Sequence, residues 1–473
     1  MHADSRMGTV LVFLSLFMVS GLIGTFILGN LVRRRGLQSL VISRRNTKTP
    51  KLQVIFLWGF GLASILYCSL FVGKQIECLF NSTYYAFYWL ALLCFNIILV
   101  VCLSSEMIFI TYLSPFKLKP TTLVNYVLLL LLIANTSVIF YLYIINDTFS
   151  YLIEVYPKTD LASCLETNST MTILIHTFRP FLTPAFIEFA LLSSTILLEI
   201  WSTKEVHQCD IELSRTGLDD LERASLINDV TSNEHQSSKN GSRNTVCQII
   251  ALAVTLSAGL GLIVCNIAEA KEVGDLEYTR YVTQVYELSL NATMIVATFV
   301  GFFCLVQYCT PDESTKVLKA RDYAYLLSAF GVFMSHISEG IGGDVSSDDE
   351  AKLVMFIGIL SIFQDYLQVV FLLCANRCKN SDPRTNLNLL ESVLIFIMIS
   401  NMVLWIADSF FLSEYPETRV LWHGNFPSEL VYIVYNVLLP VSVFYRFTSF
   451  LEYYETFCVY TSERHTRNTS MSE

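Results

Sequence analysis

The residues most able to do chemistry in this chain are polar groups set inside long apolar stretches: Glu188, Gln364, Gln368, Asn401, Tyr445 and Arg446. Such groups are costly in lipid, so they mark a path for ions or protons, or else a pairing between helices. Glu188 is the sharpest case, flanked by Phe186, Ile187, Phe189 and Ala190. Its carboxyl group either takes up and releases protons, as a relay does, or is hydrogen-bonded to a neighbouring helix. Gln364 and Gln368 stand four apart and share one helical face. With Asn401 and Tyr445 they supply amide and phenol groups that either interlock as a plug or line a wet path. Arg446 is the natural candidate to neutralise an intramembrane acid, Asp365 or Asp408.

A second tier consists of Glu106, Asn135, Glu287, His336 and Glu339. Glu106 and Glu287 read equally well as interhelical hydrogen-bond partners and as conduction residues. His336 and Glu339 share a face at i and i+3 near a span end. One His and one Glu make a poor metal site, so no metal or other cofactor is expected. His336 is then an interfacial histidine or a pH sensor. No G-x-S-x-G, H-E-x-x-H, Walker A or dinucleotide fingerprint is present, which argues against an enzyme.

The elements that must position these groups are membrane spans. The chain is 53% apolar and only 15% charged, far below the usual charge content of soluble domains, so most of it belongs where ions are expensive. A formal charge of −10 with no basic cluster beyond short loops excludes nucleic-acid binding. A ruler of about 20 apolar residues yields about eleven spans, placed near 7–30, 53–73, 85–113, 122–145, 172–201, 247–268, 281–307, 323–341, 352–375, 388–412 and 428–455. The first is followed by Arg33, Arg34 and Arg35 and lacks a basic segment before it, so it reads as a retained span rather than a signal peptide. Basic residues gather at Arg33 to Lys51, Lys117 to Lys119, Lys316 to Arg321 and Arg377 to Arg384. These loops alternate with loops holding glycosylation acceptors at Asn81, Asn146 and Asn168, which sets the N-terminus outside and the C-terminus in the cytoplasm. Acceptor sequences at Asn240, Asn291 and Asn468 are expected to stay unmodified. Most cysteines lie in apolar runs, but Cys78 and Cys164 fall in two outer loops, where an oxidised pair is possible.

The chain divides into an N-terminal transmembrane half, 1–201, a cytoplasmic acidic and Ser-rich linker, 202–246, a C-terminal transmembrane half, 247–457, and a cytoplasmic tail, 458–473. The third, fourth and fifth spans, with Glu106, Asn135 and Pro184, match in order the ninth, tenth and eleventh, with Gln364 and Gln368, Asn401 and Pro440. That is a parallel repeat about an axis along the membrane normal. The fold class is an all-α polytopic membrane protein with about eleven transmembrane helices in two pseudo-repeated halves. The first half is one span short of the second.

The runs PFLTPAFIEFALLSSTILLEIW, IFQDYLQVVF, SNMVLWIADSFF and LPVSVFYRFTSFLEYYETF resemble the otopetrins, a family of proton-selective channels. The resemblance implies a homodimer in the plasma membrane, opened by extracellular acid and passing protons inward, with sterol or other membrane lipids as possible partners. It makes Glu188 the intramembrane glutamate of the first half. One of Gln364 and Gln368, with Asn401 and Tyr445, corresponds to the Gln-Asn-Tyr cluster of the second half, and Arg446 to the arginine of FYRF. Thr448 departs from the histidine of many members. The family pattern has twelve spans, and the first span here is similar to the family's second. A secondary transporter and a non-conducting receptor or scaffold remain the alternatives.

Overall fold

The computed structural model describes residues 2–44, 49–81, 86–155, 164, 169–201, 253, 255, 259–265, 276–311, 320–345, 349–380, 388–411 and 428–470. Among the described residues, ten long helices carry the fold: α1 (His2–Arg35), α2 (Thr49–Asn81), α3 (Ala86–Leu113), α4 (Thr122–Val155), α5 (Thr170–Ile200), α6 (Leu276–Tyr308), α7 (Ala320–Val345), α8 (Asp349–Ala375), α9 (Asn388–Phe411) and α10 (Ser428–Ser470). Four short strands join them in pairs: β1 (Val41–Arg44), β2 (Phe116–Leu118), β3 (Cys309–Pro311) and β4 (Cys378–Asn380). The span expected at 247–268 lies mostly outside the described residues, although 259–265 are helical.

Among the described residues, eight helices are long and apolar enough to cross a membrane, α1 to α6, α8 and α9. Their outward faces are apolar too: Phe26, Phe80 and Val306 are all exposed, as lipid-facing side chains must be. α7 and α10 were also expected as spans. Their described parts are more polar, and those polar groups turn into the bundle, where Ser328, Ser335, Arg446, Ser449 and Glu452 are buried.

The two halves have the same wiring. α2 packs on α3 and α5, α1 on α3 and α4, α4 on α5, and α3 on α5. Replacing α1–α5 in order by α6–α10 gives the observed second set: α7 on α8 and α10, α6 on α8 and α9, α9 on α10, and α8 on α10. The strands repeat as well. β1 pairs antiparallel with β2, Ser43 opposite Lys117, and β3 with β4, Thr310 opposite Lys379. Each small sheet therefore ties together two of the loops in which Lys and Arg gather.

The seam between the halves is made by α5 against α7, α9 and α10, and by α2 against α10. The first-half core runs across it through Trp405, Phe444, Phe447 and Leu451. Within each half, close approach needs small residues: a side chain on Gly61 of α2 would strike Met107 of α3, and one on Gly331 of α7 would strike Val441 of α10.

Cys78 and Cys164 form a disulfide with their Cα atoms 5.8 Å apart. Cys78 lies in the last turns of α2 rather than in a loop. A helix of 33 residues is about 50 Å long, so this bond sits at the end of the bundle remote from β1 and β2. Asn81 is the final residue of α2, and Asn146 lies within α4, which runs past the expected span end; Asn168 lies outside the described residues. The helical backbone likewise continues from 458 to 470, with no break at the expected start of the tail.

Candidate functional site

In the second half, α8 presents Gln364, Asp365 and Gln368, all fully buried within an otherwise apolar helix. Opposite them α10 presents Tyr445 and Arg446, α9 presents Asn401, and α7 presents His336. Asp365 meets Arg446 through two contacts, Nη1 to Oδ1 at 2.6 Å and Nη2 to Oδ2 at 3.3 Å. This bidentate pairing suits a planar guanidinium and removes two charges that could not otherwise stay buried. It settles the alternative left by the sequence: Arg446 pairs with Asp365, not Asp408. His336 Nε2 lies 3.3 Å from Asp365 Oδ2, so the acid is flanked by an arginine and a histidine.

From Arg446 a directed file of hydrogen bonds leads away. Arg446 Nη1 donates to Gln364 Oε1 at 3.2 Å, Gln364 Nε2 to Gln368 Oε1 at 2.6 Å, and Gln368 Nε2 to Asn401 Oδ1 at 3.1 Å. Asn401 Nδ2 then donates to the carbonyl of Ile397 at 2.8 Å. Gln364, Gln368, Asn401 and Arg446 thus meet in one file, as their placement on facing helices suggested. Tyr445 stands beside it, its hydroxyl donating to the Asp365 carbonyl at 3.4 Å and its ring stacked on Tyr325 at 5.6 Å between centroids. Tyr453 donates to the Gln368 carbonyl at 2.9 Å and Ser449 to the Tyr325 hydroxyl at 3.2 Å. Thr448, where the resemblance has a histidine, bonds the carbonyls of Phe444 and Tyr445 and lies 3.4 Å from the Ser328 hydroxyl. Amides do not titrate near neutral pH, so from Gln364 to Asn401 the file is a chain of hydrogen bonds with no titratable member.

The first half holds a smaller counterpart. Asn135 Nδ2 donates to Glu106 Oε1 at 2.7 Å, and both residues are buried. Glu106 stands as far from the end of α3 as Gln368 from the end of α8, and Asn135 as far into α4 as Asn401 into α9. Glu106–Asn135 is thus the repeat-related version of Gln368–Asn401, with an acid in place of an amide. Asn135 Oδ1 has no hydrogen-bond partner among the described residues.

Glu188 belongs to neither interior. It lies at the seam, 2% exposed, and its Oε1 accepts the indole N–H of Trp405 on α9 at 3.1 Å. The other oxygen, Oε2, has no hydrogen-bond partner among the described residues. Around this contact Phe60 and Phe447 pack on Trp405 at 5.8 and 5.4 Å between centroids, and Phe56 closes on Phe447 at 5.0 Å. Glu188 is thus a buried acid of the first half, as expected, and α5 turns it toward α9 of the other half.

The remaining candidates are scattered. Asp408 is half-buried on α9, and the side chain of Glu339 lies outside the described residues. Trp405, Tyr325 and Tyr453 were not singled out from the sequence, nor was the buried pair in which Tyr141 donates to Asn96 at 2.7 Å. A signal for Trp405 did exist: a buried indole N–H seeks an acceptor, and intramembrane acids are few.

Residues 144–447 match the family model of the otopetrins. The match begins near the end of α4 and runs through the seam and the second half into α10, so it takes in Glu188, Trp405, the Gln364–Asn401 file, Tyr445 and Arg446. A curated relative, "Proton channel OtopLc" of Drosophila melanogaster, is 23% identical over 290 residues, which cover 60% of this chain and 17% of the fly protein. The chain thus spans only a small part of the length of that relative.

Proposed function

Because the chain belongs to the otopetrin family, we propose that it is a proton-selective channel that passes protons inward when the outer side is acidified. The observation that carries this reading is Glu188: a carboxyl group buried at the seam of a membrane bundle, with one oxygen held by Trp405 of the opposite half and the other unbonded among the described residues. Such a group is placed to accept a proton on one oxygen without breaking the bond on the other. The relative described as a proton channel supports the same reading. In the second half the lock of Arg446, Gln364, Gln368 and Asn401 acts as a gate, opened when water separates its members. His336 and Asp365 are the titratable groups beside that gate.

The protein works as a homodimer in the plasma membrane with its C-terminus in the cytoplasm, 1–201 and 247–457 serving as the two membrane halves. The 202–246 segment links them on the cytoplasmic side and 458–473 forms the tail. The disulfide supports this orientation, since such bonds persist in oxidising compartments and this one lies at the end opposite the basic loops. Glycans on Asn81, Asn146 or Asn168 belong on the disulfide side.

The test is whole-cell current in cells without a native acid-evoked current, with external pH stepped from neutral to acid and sodium and potassium replaced. A current whose reversal potential follows the proton gradient is expected, and Glu188→Ala abolishes or strongly reduces it at unchanged surface delivery. Unchanged current in that variant rejects Glu188 as relay. Silence of the wild type at every pH, despite surface delivery, rejects conduction by this chain alone and leaves the scaffold reading; a saturable, solute-dependent flux leaves the transporter.

A further inference from the structure

A groove of about 980 Å³ runs between α1 and α3 on the outer face of the first half. Its walls are apolar, with Ile23, Phe26, Ile108 and Tyr112 all exposed to the bilayer side. The polar groups in its floor are already used: Thr25 donates to the Leu22 carbonyl at 2.7 Å and lies 3.1 Å from the Ser105 hydroxyl. Gly29 lines the groove, and a Cβ there would meet nothing within 4 Å. Water gains little from such walls, so an apolar chain is the natural filling.

The end of the groove is different. Asn30 and Arg33 line it there, Arg33 is exposed and opens the Arg33, Arg34, Arg35 run in the last turn of α1, and no acidic residue lines it anywhere. From Ile23 to Arg33 the helix rises about 15 Å, the depth of one leaflet of a hydrocarbon core about 30 Å thick. The groove is thus apolar for one leaflet and basic at the level of the headgroups. We propose that it binds an anionic phospholipid, one acyl chain lying between α1 and α3 and the headgroup phosphate on Arg33 and Asn30. Basic pockets between spans on the cytoplasmic side favour such headgroups. The site belongs to the first half alone, because α6, which corresponds to α1, has no basic residue in its last turn.

The full-length protein, purified in detergent and offered equal amounts of phosphatidylserine and phosphatidylcholine, tests this by counting retained lipid in native mass spectrometry. Both lipids carry the phosphate, but phosphatidylserine adds a carboxylate and a net negative charge where phosphatidylcholine presents a choline cation to Arg33, so the wild type should keep one phosphatidylserine in preference to phosphatidylcholine by roughly tenfold. Arg33→Gln should remove the preference and leave the chain seated, so both lipids are then kept equally. Gly29→Trp should fill the groove and lower retention of both, with thermal unfolding nearly unchanged because a Cβ there meets nothing within 4 Å. Equal retention of the two lipids by the wild type, or undiminished phosphatidylserine on Gly29→Trp, overturns the site. Displacement of the phospholipid by cholesterol with no dependence on Arg33 also overturns it, in favour of a sterol groove. None of these readouts depends on proton current, so failure of the channel reading would leave the outcome intact.

Discussion

The first and second halves share their helix contacts and their strand pairs, yet they are filled differently. In the second, an ion pair, a histidine, three amides and two tyrosines form one connected polar interior. In the first, the corresponding place holds a single acid–amide pair, Glu106 with Asn135, and a second acid, Glu188, faces out of the half into the seam. The contacts of a repeat depend on where small and large apolar residues meet, which is a property of helix faces. Polar content is free to diverge inside that frame, provided each buried group finds a partner. Two halves with one wiring can therefore carry different polar groups: a connected file of hydrogen bonds in one, an acid–amide pair and a further acid at the seam in the other.

The largest effect that would break the comparison is at the fully buried Arg446–Asp365 ion pair of the second half. Arg446→Gln leaves Asp365 charged and buried without its main partner, a loss expected to cost about 3–5 kcal/mol. Thermal unfolding in detergent should fall steeply, and the double variant Arg446→Gln with Asp365→Asn should regain much of it. A single variant as stable as the wild type would mean that His336 alone suffices for Asp365.

The disulfide is the corresponding device of the first half. Replacing Cys78 and Cys164 by serine should cost about 2–4 kcal/mol, read as a lower unfolding midpoint that reducing agent reproduces in the wild type and not in the variant. At the repeat-related pair, Glu106→Gln converts the first half to the amide pattern of the second. The bond from Asn135 survives, so stability should move by less than about 1 kcal/mol, while acid-evoked current falls only if Glu106 exchanges protons. Unchanged current assigns the first-half pair a purely structural role and leaves conduction to Glu188.

The order and number of helices were largely legible in the sequence, because runs such as those of α3 and α8 exceed the length of a span and are bounded by charge. The repeat was legible through Glu106, Asn135 and Pro184 against Gln368, Asn401 and Pro440. The partner of Arg446 was not, since Asp365 and Asp408 lie on different helices and only packing decides between them. Glu188 was legible as a buried acid and its partner Trp405 was not: periodicity gives the face of a helix, whereas the neighbour of that face depends on how the halves dock. Cys78 and Cys164 were brought to the same side by topology, and their proximity became visible only once α2 was seen to extend through Cys78.

The smallest effect concerns how α10 and α5 hold the helices they cross. Counting from Pro440 and from Pro184, Tyr453 and Leu197 occupy the same place, and both are fully buried. Tyr453 donates to the Gln368 carbonyl, whereas Leu197 has no group to donate, so at this one position α10 is pinned to α8 and its counterpart in α5 only packs. Tyr453→Phe keeps the ring and its stacking on Phe371 at 6.1 Å, and it removes one neutral hydrogen bond, expected to cost about 1 kcal/mol. If that bond also holds Gln368 in place for the lock with Asn401, the variant should open at a milder external pH than the wild type, at nearly unchanged stability. A stability loss with an unaltered current–pH relation would make Tyr453 a packing residue like Leu197, and the halves would then differ at this position only in chemistry and not in what it does.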